Sequence, residues 1–121
     1  MDSEKRYALL VEDDPDLAHI FTGALQSANY ETETILDGSQ ARQYLETRQP
    51  QIIILDLHLP GTNGFDILKY IRAEKRLADS QVVVITGDRT AAEEVRDKAD
   101  LVLVKPISFS QLRDLTARLQ V

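Results

Sequence analysis

Residues 52–65 read IIILDLHLPGTNGF, and this stretch decides the fold. It opens with four consecutive large apolar residues, a run typical of a β-strand buried on both faces. The run ends at Asp56, and a loop containing Pro60 and Gly61 follows. Apolar residues at helix spacing come next. The stretch therefore predicts a strand, a loop and a helix in that order.

The same order recurs on both sides of this stretch. Short apolar or alternating runs predict four further strands at residues 7–11, 30–36, 82–85 and 101–104. Helix-period sequence follows each of them, including a short fourth helix at 91–99. The predicted helix caps are Asp14 before Pro15, Ser39, and Ser108 with Gln111 in a capping box.

This alternation predicts an α/β fold with a (βα)5 order. Strands that are apolar at successive positions are buried on both faces, which requires a parallel sheet with helices on both sides. Because crossovers between parallel strands are right-handed, the expected architecture is a doubly wound five-stranded parallel sheet. Such sheets bind ligands outside the carboxyl ends of their strands.

Composition excludes several function classes. A chain of 121 residues predicts one domain, 1–121. Its net charge of −6 disfavours direct nucleic-acid binding, and the absence of cysteine excludes disulfides and thiolate metal sites. No apolar run approaches the ~18 residues that a membrane helix needs, and no basic-then-apolar leader is recognisable. We expect a cytoplasmic protein without membrane contact.

Polar side chains stand where the predicted strands end. Glu12 and Asp13 follow the first strand, Asp56 ends the third, Thr86 ends the fourth and Lys105 follows the fifth. Parallel strands place these ends at one edge. Carboxylates held together repel unless a cation is present, and oxygen ligands suit Mg²⁺. Thr86 and Lys105 are suited to neutralise a transferring phosphoryl group, with Asp56 as its nucleophile.

Taken together, these residues resemble the receiver domain of response regulators in two-component signalling, the CheY-like superfamily with a flavodoxin-like topology. The resemblance covers nearly the whole chain. Its motifs are Glu12-Asp13, Asp56 with the downstream Leu59-Pro60-Gly61-x-Asn63-Gly64, Thr86-Gly87, and Lys105-Pro106.

The resemblance implies a role for each strand-end residue. Asp56 would be the phosphoacceptor and a metal ligand. Asp13 would bind Mg²⁺ directly, Glu12 through metal-bound water, and His58 through its backbone carbonyl. Thr86 and Lys105 would contact the phosphoryl group, with the bond from Lys105 to Pro106 in the cis form.

The resemblance also implies partners. A sensor histidine kinase or a histidine phosphotransfer protein would donate the phosphoryl group, and a downstream protein or an output domain would receive the signal. The domain would be a switch rather than a turnover enzyme, catalysing its own phosphorylation and dephosphorylation. It would act alone or as part of a longer regulator.

Two departures from the family pattern concern signalling. Val102 stands where the family usually has an aromatic residue, and the interval from Thr86 to Lys105 is shorter than usual. The fourth helix should therefore be short or reoriented. That helix, the fifth strand and the last helix form the family's common partner and homodimer face. We expect the phosphorylation chemistry to be retained and the output to be altered.

Three alternatives remain open at this stage. The chain could be a receiver-like interaction module that works without phosphorylation. It could be an aspartyl-phosphate phosphatase, although in those enzymes the nucleophile typically ends the first strand and an acid stands two residues later, where this chain has His58. Finally, Thr86 could merely cap the fourth helix.

Overall fold

A computed structural model of the chain describes residues 6–120. They form one sheet of five parallel strands with five α-helices and a short 3₁₀ turn. The predicted domain, 1–121, extends beyond the described residues at both ends. Within residues 6–120, no helix combines the length and the apolar character that crossing a bilayer requires.

Strands and helices alternate along the described chain. The strands are β1 Arg6–Val11, β2 Tyr30–Ile35, β3 Ile52–Asp56, β4 Gln81–Thr86 and β5 Leu101–Val104. The helices are α1 Pro15–Ser27, α2 Gly38–Leu45, α3 Gly64–Ala73, α4 Arg89–Val95 and α5 Phe109–Arg118, with the 3₁₀ turn at Lys75–Leu77. This is the predicted (βα)5 order.

The sheet has the strand order β2-β1-β3-β4-β5, so β1, β3 and β4 lie inside it and the chain winds outward in both directions. Every neighbouring pair is parallel. The register places Val11 beside Leu55, and Asp56 beside Ile85. The carboxyl ends of β1, β3 and β4 therefore finish at nearly the same level.

Each face of the sheet has its own apolar core. Ile53 and Leu55 pack with residues of α2, α3 and α4, whereas Ile52 and Ile54 pack with residues of α1 and α5. All four side chains are fully buried. The prediction that β3 is covered on both faces is confirmed, and this rigid strand carries Asp56 at its end.

Two of the predicted helix caps are confirmed. The carboxylate of Asp14 accepts hydrogen bonds from the backbone N–H groups of Asp16 and Leu17, with Pro15 in the first turn. Ser108 and Gln111 form the complete reciprocal capping box at the start of α5. Both helices begin where the sequence predicts.

The prediction that Ser39 caps α2 is wrong. Asp37 is the cap: its backbone is extended and its carboxylate accepts a hydrogen bond from the N–H of Gln40 at 3.0 Å. Ser39 lies inside the first turn of the helix, where its hydroxyl is not needed for capping. That hydroxyl instead contacts the loop that follows β3.

The predicted bounds of the fourth helix, 91–99, are also wrong, although the helix is short as expected. It begins earlier because Asp88 caps it, accepting from the N–H of Thr90 at 2.9 Å. It ends at Val95. From α3, Arg72 donates from Nε to the carbonyl oxygen of Lys98 at 2.7 Å and from Nη2 to Asp100 at 3.1 Å. These bonds attach the segment before β5 to α3.

Candidate functional site

Four strand ends bring together the five polar residues singled out in the sequence. Asp56 and Thr86 are the last residues of β3 and β4, Glu12 and Asp13 directly follow β1, and Lys105 directly follows β5. Their convergence results from the parallel sheet, because at least one helix separates each of these strands from the next along the chain.

Three carboxylates form the acidic part of the site. Oxygen atoms of Glu12, Asp13 and Asp56 all lie within 4.8 Å of one another. Glu12 is 1% exposed and Asp56 is 4% exposed, whereas Asp13 faces solvent. Two of the three carboxylates are thus buried and the third is exposed, so the cluster can be reached from solution. No histidine ligand atom belongs to it among the residues described.

Lys105 places one ammonium group between the two buried carboxylates. Its Nζ lies 3.1 Å from Oε1 of Glu12 and 3.1 Å from Oδ2 of Asp56. Its backbone N–H donates to the carbonyl oxygen of Thr86 at 2.8 Å, which ties β5 to the end of β4, and its bond to Pro106 is cis as expected. Burial alone would lower the pKa of Lys105, but the charges of Asp56 and Glu12 outweigh it and raise that pKa. The ammonium is therefore kept in the charged form.

The carboxylate of Asp56 is held on both sides. Oδ1 accepts a hydrogen bond from the backbone N–H of His58 at 3.0 Å, and Oδ2 accepts one from Nζ of Lys105. Because both oxygens have a fixed donor, the carboxylate has one orientation. Such orientation is what an attacking group needs.

His58 is exposed and lies at the rim of an open depression of about 480 Å³. Asp13 and Asn63 line the same depression. The imidazole of His58 stands apart from the acidic cluster, and its backbone N–H is already bonded to Asp56. The role of its carbonyl as a metal ligand stays a prediction.

Thr86 is fully buried beside the site. Its Oγ1 accepts a hydrogen bond from the backbone N–H of Asp88 at 3.1 Å. The alternative that Thr86 caps α4 is wrong, because the carboxylate of Asp88 performs that function. The hydroxyl hydrogen of Thr86 can therefore be donated to a bound group.

The donor set fits a hard divalent cation. All three carboxylates offer oxygen, the ligand atom that Mg²⁺ prefers. Oε1 of Glu12 is buried, and its charge is partnered by Nζ of Lys105 at 3.1 Å, the same ammonium that contacts Asp56. Two buried carboxylates thus share one ammonium, and a divalent cation would offset the remaining negative charge.

The crowded cluster changes the acidity of Glu12. Burial is the largest cause and raises its pKa, and the nearby charge of Asp56 raises it further. The N–H of Asp14 and the ammonium of Lys105 act in the opposite direction. The pKa of Glu12 is raised to about 7. Without a cation, a proton therefore occupies this carboxylate over part of the neutral range.

Protons and Mg²⁺ should compete at Glu12. With a pKa of about 7, Glu12 is mostly ionised above neutral pH and mostly protonated below it. The apparent dissociation constant of Mg²⁺ should rise roughly tenfold for each unit that the pH falls below this pKa, because the ligand must be deprotonated. Isothermal titration calorimetry at a series of pH values measures this dissociation constant.

Glu12→Gln should flatten the dependence of Mg²⁺ affinity on pH, whereas Glu94→Gln, at an exposed position, should leave it unchanged. An equally steep pH profile for Glu12→Gln would contradict the role of Glu12 as the competing group.

The five polar residues of the candidate site were all recognisable in the sequence, but two supporting contacts were not. One is the hydrogen bond from Asp88 to Thr86, for which Asp88 before a helix was the available signal. The other is the contact between the start of α2 and the loop after β3, for which the sequence carries no signal beyond the polar residues of Asp37–Ser39. Long-range contacts of this kind are not encoded in local spacing.

The fold and the site define a class of protein: a doubly wound α/β domain whose acidic strand edge is combined with one lysine and one threonine. Comparison with known families agrees. Residues 8–117 match the family described as the response regulator receiver domain. The chain belongs to the response regulator receiver domain family, and its function is that of a receiver domain in a two-component system.

Curated relatives include transcription regulators. The chain is 33% identical over 115 residues to the DNA-binding response regulator MtrA of Mycolicibacterium smegmatis, covering 93% of this chain and 49% of that protein. It is 31% identical over 123 residues to the transcriptional regulatory protein GltR of Pseudomonas aeruginosa, covering 99% of this chain and 50% of that protein. The chain thus spans about half the length of these relatives.

Solved structures of receiver domains superpose closely. The signal receiver domain of a LuxO repressor protein from Vibrio parahaemolyticus has a TM-score of 0.84 at 31% identity, over 95% of this chain and 89% of that one. The chemotaxis response regulator CheY4 of Vibrio cholerae has a TM-score of 0.86 at 25% identity, over 95% of this chain and 98% of that one. The predicted fold class and family are confirmed.

Proposed function

We propose that this receiver domain accepts a phosphoryl group on Asp56 from a phosphohistidine, with Mg²⁺ held by Glu12, Asp13, Asp56 and the carbonyl of His58. The observation that carries the proposal is the state of the Asp56 carboxylate. It is 4% exposed, lies within the acidic cluster, and is oriented by the N–H of His58 and the ammonium of Lys105.

The chain's own residues account for the transfer step. A carboxylate oxygen of Asp56 attacks the phosphorus, an oxygen–phosphorus bond forms, and the phosphorus–nitrogen bond breaks with its electron pair on nitrogen, so that the donor leaves as neutral imidazole after its ring takes up a proton from solvent. Lys105 and Thr86 donate to the phosphoryl oxygens as their charge redistributes. Bound Mg²⁺ would supply the positive charge that offsets the repulsion between the carboxylates and the phosphoryl group.

The reverse half of the cycle uses the same residues. A water molecule attacks the phosphorus, the bond to Asp56 breaks, and inorganic phosphate leaves while the carboxylate is restored. The domain would thus catalyse its own phosphorylation and dephosphorylation without turning over an external substrate. It would be a phosphorylation-dependent switch rather than an enzyme that converts a metabolite.

Removal of divalent metal should almost abolish phosphorylation. Incubation with a small acyl phosphate and Mg²⁺ should add the mass of one phosphoryl group to the intact protein. With a chelator the rate should fall by roughly a hundredfold, because a metal ion contributes several kcal/mol of charge stabilisation. Intact-mass spectrometry over time measures both rates. An unchanged wild-type mass, with a donor that phosphorylates a second receiver domain in parallel, would overturn the proposal.

The proposed partners follow from the family and the charge. The donor is a sensor histidine kinase or a histidine phosphotransfer protein, and the signal passes to a downstream protein or an output domain. A net charge of −6 disfavours direct DNA binding by this domain, so any control of DNA would run through another domain or a partner. Homodimerisation would use α4, β5 and α5, and the site of action would be the cytoplasm.

A second candidate is a receiver-like interaction module that signals without phosphorylation. It is favoured by the short α4 and by Val102, which is half-buried against the core under α4 and has no ring to reorient. Binding to the cognate partner separates the two functions. Full binding by Asp56→Asn, with no response of the wild type to phosphorylation, would favour this second candidate.

A further inference from the structure

The start of α2 is hydrogen-bonded to the loop that follows β3. The N–H of Gly38 donates to the carbonyl oxygen of Pro60 at 3.0 Å. The hydroxyl of Ser39 accepts from the N–H of Thr62 at 3.2 Å and lies 3.3 Å from the Thr62 hydroxyl. We call these contacts, between Asp37–Ser39 and residues 60–62, the α2 clasp.

At the centre of the α2 clasp, the backbone of Gly38 packs directly against the backbone of Thr62. A Cβ atom built on Gly38 would lie 1.6 Å from the carbonyl oxygen of Thr62 and 2.7 Å from its carbonyl carbon. No L-residue can replace glycine at this position without moving the helix or the loop. The helix start and the loop are therefore one packed unit rather than two neighbouring segments.

Within the clasp, Asp37 and Ser39 have separate tasks. Asp37 caps α2 through its bond from the N–H of Gln40. Because the cap is already provided, the hydroxyl of Ser39 is not required for the helix. Both of its hydrogen bonds run to Thr62, a residue 23 positions away in sequence. The side chain of Ser39 therefore contributes to holding the loop, together with the backbone of Gly38.

The loop that the α2 clasp contacts begins at the candidate metal site. At its near end, the N–H of His58 donates to Asp56 at 3.0 Å, and the carbonyl of Leu57 accepts from the N–H of Gly64 at 3.0 Å. At its far end, it is held by the clasp at residues 60–62. The His58 carbonyl lies on the short segment between these two anchors, so its direction depends on both.

We propose that Ser39 is a positioning residue for the metal site, holding the loop after β3 so that the His58 carbonyl faces the acidic cluster. This inference rests on the proposed function, in which that carbonyl is a metal ligand. Groups that orient a ligand from behind are commonly worth about 10–100-fold in metal affinity. Because Ser39 acts through a loop, we expect the lower end of that range.

The test compares metal affinity with the transfer rate. Ser39→Ala should raise the dissociation constant of Mg²⁺, measured by calorimetry, about tenfold. It should raise the Mg²⁺ concentration for half-maximal phosphorylation by the same factor and leave the rate at saturating Mg²⁺ close to that of the wild type. Ser39→Thr keeps the hydroxyl and should restore the affinity. General destabilisation would produce neither this split nor this rescue.

Ser110 provides the matched control. Like Ser39 it is the second residue of an α-helix and is exposed, but its side chain makes no hydrogen bond in the described chain. Ser110→Ala should bind Mg²⁺ as the wild type does. Unchanged Mg²⁺ affinity in Ser39→Ala, an equal loss in Ser110→Ala, or failure of Ser39→Thr to restore it would each overturn the inference. Calorimetry does not depend on phosphorylation, so a wild type that binds Mg²⁺ but gains no phosphoryl group would contradict only the proposed function.

Discussion

Asp56→Asn should take up no phosphoryl group from an acyl phosphate and Mg²⁺ under conditions that label the wild type. The amide has nearly the shape of the carboxylate, but it is not a nucleophile and forms no acyl phosphate. Intact-mass spectrometry should show one added phosphoryl group in the wild type and an unmodified mass in the variant. This is the largest functional effect that we expect from any single substitution.

The fold should tolerate this change. The side-chain oxygen of an asparagine can still accept from the N–H of His58, which turns its amide nitrogen toward Lys105, so the bond from Lys105 to residue 56 is lost while the ion pair of Lys105 with Glu12 remains. Removing one negative charge relieves repulsion within the cluster, since the charge of Asp56 contributes to the raised pKa of Glu12. Circular dichroism should therefore stay close to that of the wild type.

Asp97 offers the control for specificity. Its side chain is 84% exposed. Asp97 follows α4 in sequence and does not belong to the strand-end cluster. Asp97→Asn makes the same chemical change and should be labelled at the wild-type rate. A phosphoryl group on Asp56→Asn would instead identify another acceptor, with Asp13 the nearest carboxylate open to solvent.

Gly64→Ala should give the second large effect, a loss of about 1–3 kcal/mol or more in the free energy of unfolding. A Cβ at this position would lie 2.4 Å from the carbonyl oxygen of Asp56 and 2.4 Å from Cα of Leu57. Both are backbone atoms, so no side chain can rotate away. Helix propensity favours alanine over glycine by up to about 1 kcal/mol, so a loss at this first residue of α3 must come from the contact.

Gly87→Ala is the matched substitution, because a Cβ there would have no heavy atom within 4 Å. Its free energy of unfolding should be unchanged to within about 0.5 kcal/mol. Urea denaturation of both variants measures the difference. Equal free energies of unfolding for Gly64→Ala and Gly87→Ala would show that Gly64 is not in tight contact with the backbone of Asp56. Phosphorylation should also slow in Gly64→Ala, since the strain falls on the backbone of Asp56, the proposed acceptor.

Much of the site was predictable because the sheet is parallel. Once β3 is recognised from its apolar run, Asp56 must lie at the ligand-binding edge, and the same argument places Glu12 and Lys105 there. Local sequence does not reveal that Glu12 is buried while its neighbour Asp13 is exposed. It also does not reveal that one ammonium lies between two carboxylates. Both depend on how separate strand ends meet.

The errors in the predicted helix bounds have the same origin. Asp37 and Ser39 are both good capping residues, and only the contact of Ser39 with Thr62 decides between them. The helical pattern of α4 continues past Val95, but residues 96–98 form turns, and Arg72 of α3 binds the segment that follows the helix. Residues far apart in sequence override local propensity in each case.

The strand order leaves β2 and β5 at the two open edges of the sheet. An unpaired strand edge can recruit a strand from another molecule and start aggregation, and charged side chains along the edge counteract this. On β2, Glu31 and Glu33 are both exposed. A part of the chain's negative charge thus lies away from the strand-end cluster, along an open edge of the sheet. We expect these charges to disfavour pairing of β2 with a second copy of the chain.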